Sequence, residues 1–136
     1  MAVAKMATTG KIKVLIVDDS ALIRSILKEV INSNPDMEAV GAAANPLQAR
    51  DMIRTLDPDV ITLDVEMPEM DGLEFLEHLK TNEMYFDIPV IMVSSLITEE
   101  YKQRAMDLGA KKYIIKSEFS QDDFQETVSK ILRKEI

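Results

Sequence analysis

Short runs of β-branched and aliphatic residues alternate along the chain with stretches in which apolar residues return every three or four positions. That alternation is the pattern of a parallel sheet covered on both faces by helices. The first run is Ile12–Val17. After Asp18-Asp19-Ser20, the residues Ile23, Ile26, Leu27, Val30 and Ile31 fall on one face of a predicted helix that gives out near Asn34-Pro35. Met37–Ala43 reads as a second strand. Asn45-Pro46 supplies a cap and a proline at the first helical position, with Ala49, Met52, Ile53 and Leu56 as the next apolar stripe. Val60–Leu63 is the third strand. Asp71-Gly72 opens a helix that turns Phe75, Leu76 and Leu79 inward, and residues 89–93 form strand four, ending at Ser94-Ser95. Thr98 caps a fourth helix, with Glu99 and Glu100 in its positive first turn and Gly109 where a left-handed residue commonly ends a helix. Tyr113-Ile114-Ile115 is strand five. Ser120 and Asp123 form a capping box for a last helix with Phe124, Val128, Ile131 and Leu132 inside. Five strands and five helices are expected.

Composition narrows what such a fold can do. The chain has 136 residues, 46% of them hydrophobic, enough for one ordinary core and hardly for two. Its formal net charge of -8 opposes direct nucleic-acid binding, which relies on clustered Lys and Arg, and favours cations or basic partner surfaces. The absence of cysteine excludes a disulfide framework, a thiol nucleophile and a thiolate metal site, and fits a cytoplasmic location. Residues 1–10 lack the apolar core of a signal peptide and read as a loose tail; no later run reaches membrane-spanning length.

The polar residues acquire meaning from the strands they follow. Asp18 and Asp19, Asp64, Ser94 and Lys116 each stand at the carboxyl end of a different strand. In open α/β sheets ligands bind at that edge, beside the point where strand order reverses. If the first and third strands are neighbours, three carboxylates converge there, and repulsion among them demands a cation or protonation. Any one of these residues alone is a common loop residue or cap; five of them ending four strands form a constellation.

Val17-Asp18-Asp19-Ser20, the segment from Asp64-Val65-Glu66-Met67-Pro68 to Asp71-Gly72, Val93-Ser94-Ser95 and Tyr113-Ile114-Ile115-Lys116 resemble the motifs of response-regulator receiver domains. In wording, Asp64 to Leu76 and Met92 to Leu96 resemble the receiver attached to chemotaxis methylesterases. The resemblance covers residues 11–136 and implies a flavodoxin-like (βα)5 three-layer sandwich whose five parallel strands run in the order 2-1-3-4-5. It further implies that Asp64 accepts a phosphoryl group from a partner histidine kinase of chemotaxis type. Asp19 and Asp64 would bind Mg²⁺ or Mn²⁺ with the backbone carbonyl of Glu66, while Asp18 orients a bound water. Mg²⁺ suits the set because it takes oxygen ligands, retains water and bridges phosphate oxygens. Without it, two carboxylates about 4 Å apart repel by about 4 kcal/mol at an effective dielectric near 20. Lys116 would neutralise phosphoryl oxygens and Ser94 would donate a hydrogen bond to another. Ser94 and Tyr113 would form the switch that alters the surface of helix four, strand five and helix five, where an effector protein or attached domain responds. The molecule would be a monomer or a phosphorylation-dependent dimer.

Two residues depart from the family pattern. Ser117 stands where most receivers have a proline joined to the lysine by a cis bond. A cis bond before a non-proline residue costs about 3 kcal/mol, so either the bond is trans and Lys116 is positioned differently, or strain is retained. Glu66 places an acid where others carry Asn or a small residue; it would slow attack of water on phosphoaspartate or face solvent.

Other residues have plainer readings. His78, the only histidine, lies beside Glu77 and Lys80 on a helix and is expected to be exposed. Met52 and Met92 fall at core positions as gap fillers. Lys102, Arg104, Lys111 and Lys112 read as solvated surface. No G-x-S-x-G nucleophile elbow occurs, so the chain is expected to catalyse only its own phosphorylation and dephosphorylation, without methylesterase activity. Two alternatives stand beside this reading: a phosphorylation-independent adaptor with a degenerate site, and a Mg²⁺-dependent phosphatase. The second suffers because Glu66 occupies the position where aspartate-nucleophile phosphatases place a second Asp.

Overall fold

The computed structural model describes residues 10–68 and 70–133, so nearly all of the expected tail at 1–10 lies outside the described residues. Five strands, β1 (Ile12–Val17), β2 (Met37–Ala43), β3 (Val60–Leu63), β4 (Val90–Ser94) and β5 (Lys112–Ile115), alternate with five helices. The helices are α1 (Ala21–Asn32), α2 (Pro46–Leu56), α3 (Gly72–Lys80), α4 (Glu99–Asp107) and α5 (Gln121–Leu132), and a 3-10 turn spans Lys116–Glu118. The sheet is wholly parallel, in the order β2-β1-β3-β4-β5. This is the expected flavodoxin-like architecture.

Strand alternation divides the core in two. Val14, Ile16, Val60, Ile91 and Val93 pack with Leu27 and Ile31 of α1 and Phe124, Val128 and Ile131 of α5. Leu15, Val17, Ile61, Leu63 and Met92 face the other way, onto Ala49 and Ile53 of α2, Phe75, Leu76 and Leu79 of α3, and Ala105 of α4. Each large side chain buried in this way contributes about 1.5–3 kcal/mol. Met92 is fully buried and Met52 packs partly against the same core, while His78 is exposed. No helix among the described residues is long and apolar enough to cross a membrane.

Four helices carry the side-chain cap that their sequences signal. Ser20, Asn45, Asp71 and Ser120 accept from the main-chain N–H groups of Ile23, Gln48, Glu74 and Asp123 at 3.2, 2.9, 2.9 and 3.1 Å. Each such bond stabilises its helix by about 1 kcal/mol. Thr98 departs from expectation: it has the extended N-cap backbone of α4 but makes no side-chain cap bond. Ile26 also differs. It is 45% exposed, because the stripe of α1 that meets the sheet runs through Leu27 and Ile31 and leaves Leu22 and Ile26 turned outward.

One buried polar group in the central strand serves no visible bond. The Thr62 hydroxyl, on a residue 1% exposed, has no hydrogen-bond partner. Desolvating a hydroxyl without compensation costs free energy that an apolar side chain of the same shape avoids. Thr62→Val should therefore raise stability by about 1 kcal/mol, read as a higher urea midpoint with an unchanged slope. A lower midpoint would contradict it.

Candidate functional site

Strand register brings the singled-out residues together. Val17 pairs with Leu63, so Asp18 and Asp64 leave adjacent strands at one level, on the two sides of the point where strand order reverses. The main chain ties them there: Asp64 N–H donates to Val17 O and Asp18 N–H to Ala43 O, both at 3.0 Å. Ser94 pairs with Ile115, which delivers Lys116 to the same edge from the next strand.

Asp18, Asp19 and Asp64 each offer a carboxylate oxygen, and these oxygens lie within 4.8 Å of one another. Asp18 and Asp64 are buried and Asp19 is exposed. The Lys116 ammonium bridges the buried pair, at 2.9 Å from Asp18 Oδ2 and 3.4 Å from Asp64 Oδ2. Burial works against the charge on Lys116, yet the two carboxylates outweigh it and hold its pKa above the ordinary value. For Asp64 the balance falls the other way. Burial, with the charge of Asp18 adding to it, lifts its pKa to about 6 in spite of Lys116. Asp64 Oδ1 is buried with no hydrogen-bond partner. An all-oxygen cluster containing one orphaned carboxylate oxygen fits a hard divalent cation such as Mg²⁺.

The Lys116–Ser117 peptide is trans, as is every described peptide bond. Of the two alternatives the trans one is present, and with it the Lys116 ammonium still reaches both acids. Lys116 and Ser117 both belong to the 3-10 segment Lys116–Glu118, an element the sequence reading did not anticipate.

Ser94 is fully buried, and its Oγ accepts from Leu96 N–H at 3.1 Å. Tyr113 is turned inward, 7% exposed, with its hydroxyl donating to the Leu96 carbonyl at 2.8 Å. Burial is the main cause that raises its pKa. Ser94 and Tyr113 thus hold the two polar groups of one residue, Leu96. Glu66 is exposed, and its carboxylate accepts from the Ser95 hydroxyl at 3.2 Å, linking the loops that follow β3 and β4. The sequence reading missed Leu96 and Ser95 as partners here, because main-chain groups and exposed hydroxyls carry no signature of their own.

The loop after β3 depends on one close approach. A Cβ at Gly72 would lie 1.8 Å from the Asp64 carbonyl oxygen, and Gly72 N–H donates to Val65 O at 2.7 Å. Only a residue without a side chain lets α3 start there.

A family profile described as "Response regulator receiver domain" matches residues 14–129. The chain is 59% identical over 111 residues to protein-glutamate methylesterase/protein-glutamine glutaminase 2 of Cupriavidus pinatubonensis, covering 80% of this chain and 30% of that protein. It is 56% identical over 112 residues to the protein-glutamate methylesterase/protein-glutamine glutaminase of Thiobacillus denitrificans, covering 81% and 31%. Among solved structures, the response regulator domain of Thermotoga maritima CheB superposes with a TM-score of 0.71 at 40% identity, over 91% of this chain and 92% of that one. The chain spans about 30% of the length of the curated relatives it matches. The expectation of a non-enzyme without methylesterase activity is overturned by these relatives, which are named as enzymes. The missing nucleophile elbow concerns only the 136 residues in hand, a part of such a protein's length.

Proposed function

Because the chain belongs to the response regulator receiver domain family, we propose that residues 11–136 act as a receiver whose Asp64 takes a phosphoryl group from a phosphohistidine on a chemotaxis-type histidine kinase. The Asp64 carboxylate attacks phosphorus; an O–P bond forms as the P–N bond breaks, and the leaving imidazole keeps the bonding pair. What carries this reading is the orphaned Oδ1 of Asp64, buried among three carboxylates and beside the Lys116 ammonium. A buried acceptor left without a donor is costly, and in a cluster of carboxylates a bound cation would supply the missing partner.

Asp19 and Asp64 would hold Mg²⁺ or Mn²⁺ directly, with Asp18 through a water and Glu66 through its main-chain carbonyl. Bound there, the cation neutralises charge on the phosphoryl oxygens and on the acids themselves. Lys116 turns its ammonium from Asp64 Oδ2 toward the phosphoryl oxygens. Ser94 gives up the Leu96 N–H to donate its own hydroxyl, and Tyr113 responds through the Leu96 carbonyl. The result is a population shift in the surface over α4, β5 and α5, set by the contacts each state makes with the new charge.

The relatives' names suggest the output: the receiver controls an attached protein-glutamate methylesterase and glutaminase, in the cytoplasm. Incubation with Mg²⁺ and acetyl phosphate tests the chemistry by intact mass. One phosphoryl group should be gained by the wild type and none by Asp64→Asn or by a metal-free sample. No gain in the wild type would favour the phosphorylation-independent adaptor.

A further inference from the structure

A guanidinium stands behind the acid loop without entering the cluster. Arg24, in α1, donates from Nη1 to the main-chain carbonyl of Asp18 at 2.8 Å and is itself half-buried. The loop between β1 and α1 is otherwise held at its ends. Asp18 N–H reaches Ala43 O at 3.0 Å, and Arg24 N–H reaches Ser20 O at 3.0 Å. Ser20 N–H also donates to Asp18 Oδ1 at 2.9 Å. Between these anchors lies the peptide joining Asp18 to Asp19, and its carbonyl is the atom that Arg24 holds.

The three acids are not equally fixed. Asp18 spends one carboxylate oxygen on Ser20 N–H and the other on Lys116, and Asp64 follows directly on the central strand β3. Asp19 is the exposed member, and its Cα direction follows the plane of the peptide before it. Resting on the function proposed above, we propose that Arg24 is the positioning residue of the cation site: by holding the Asp18 carbonyl it sets the 18–19 peptide plane and so aims the Asp19 carboxylate into the cluster.

Charge and position predict opposite signs for this residue. Removing a cation from the neighbourhood of a cation site strengthens binding by Coulomb's law alone. Removing a positioning hydrogen bond weakens it, by about 10-fold or more for groups that orient metal ligands. Arg24→Met keeps the stem and deletes the donor. Arg24→Lys keeps the charge and one kind of donor but loses the planar fork.

Calorimetric titration with Mg²⁺, without any phosphodonor, should give a Kd about 10-fold weaker for Arg24→Met than for the wild type. Arg24→Lys should fall between them. An unchanged or tighter Kd in Arg24→Met, with wild-type circular dichroism, would overturn the role; if that variant does not fold, a wild-type Kd in Arg24→Lys would do so. Asp64→Asn is titrated alongside. If the wild type binds no Mg²⁺, or binds it no better than Asp64→Asn, the reading of the acid site falls first and this one with it.

Discussion

In EDTA at pH 8, Asp64→Asn should be more stable than the wild type by about 3 kcal/mol, and the gap should close as the pH falls toward 4. The folded protein lifts the Asp64 pKa from 3.8 to about 6, chiefly through burial. Between those values the unfolded chain has lost this proton and the folded one keeps it, so raising the pH favours the unfolded state until Asp64 ionises in both. Above pH 6 the penalty is complete and constant. Asn carries no charge and escapes it, while the 3.4 Å approach of Lys116 already enters the balance that leaves the pKa high. Urea unfolding at pH 4.5 and pH 8 reads the difference directly. Equal midpoints at pH 8 would mean that the folded site tolerates the Asp64 charge without help. Saturating Mg²⁺ should raise the wild-type midpoint and leave the Asn variant nearly unmoved, since only the wild type presents the full carboxylate cluster.

Gly72→Ala should be the most damaging alanine substitution among the glycines. Its Cβ would stand 1.8 Å from the Asp64 carbonyl oxygen and 2.9 Å from Val65 Cα, so the main chain on one side must retreat by roughly 1.5 Å to reach ordinary contact. The bond from Gly72 N–H to Val65 O stretches with it, and both segments are backbone with no rotamer to relieve them. The expected cost is about 3 kcal/mol in urea unfolding. Phosphorylation should slow by about 100-fold even where the variant is folded, since a displacement of about 1 Å at a reacting group has that effect. Wild-type rates in a folded Gly72→Ala protein would show that the loop yields from the α3 side, leaving Asp64 in place.

The fold was legible because the signals for it are local and repeated. The β-branched runs at 12–17 and 60–63 and the weaker apolar run at 37–43 are strands with those bounds, and Asn45-Pro46 opened α2 where the cap and proline place it. The acids at 18, 19 and 64 were legible as a cluster once the strands were, since each ends one of two neighbours. Other features depend on distances between loops and leave no such trace. Thr98 sits in the cap position without making the cap bond, and Ile26 shares the helical period of its neighbours but looks outward. Arg24 resembles any surface arginine until its reach to the Asp18 carbonyl is seen.

The strand order has a consequence for a chain made from its amino terminus. β1 and β3, whose carboxyl ends lead into Asp18, Asp19 and Asp64, are both present before β5 has been synthesised. An emerging chain that pairs β1 with β3 assembles its acids before Lys116 exists to neutralise them. Completion of the sheet is thus rewarded electrostatically as well as by packing, because it brings the Lys116 ammonium to 2.9 Å from Asp18 and 3.4 Å from Asp64.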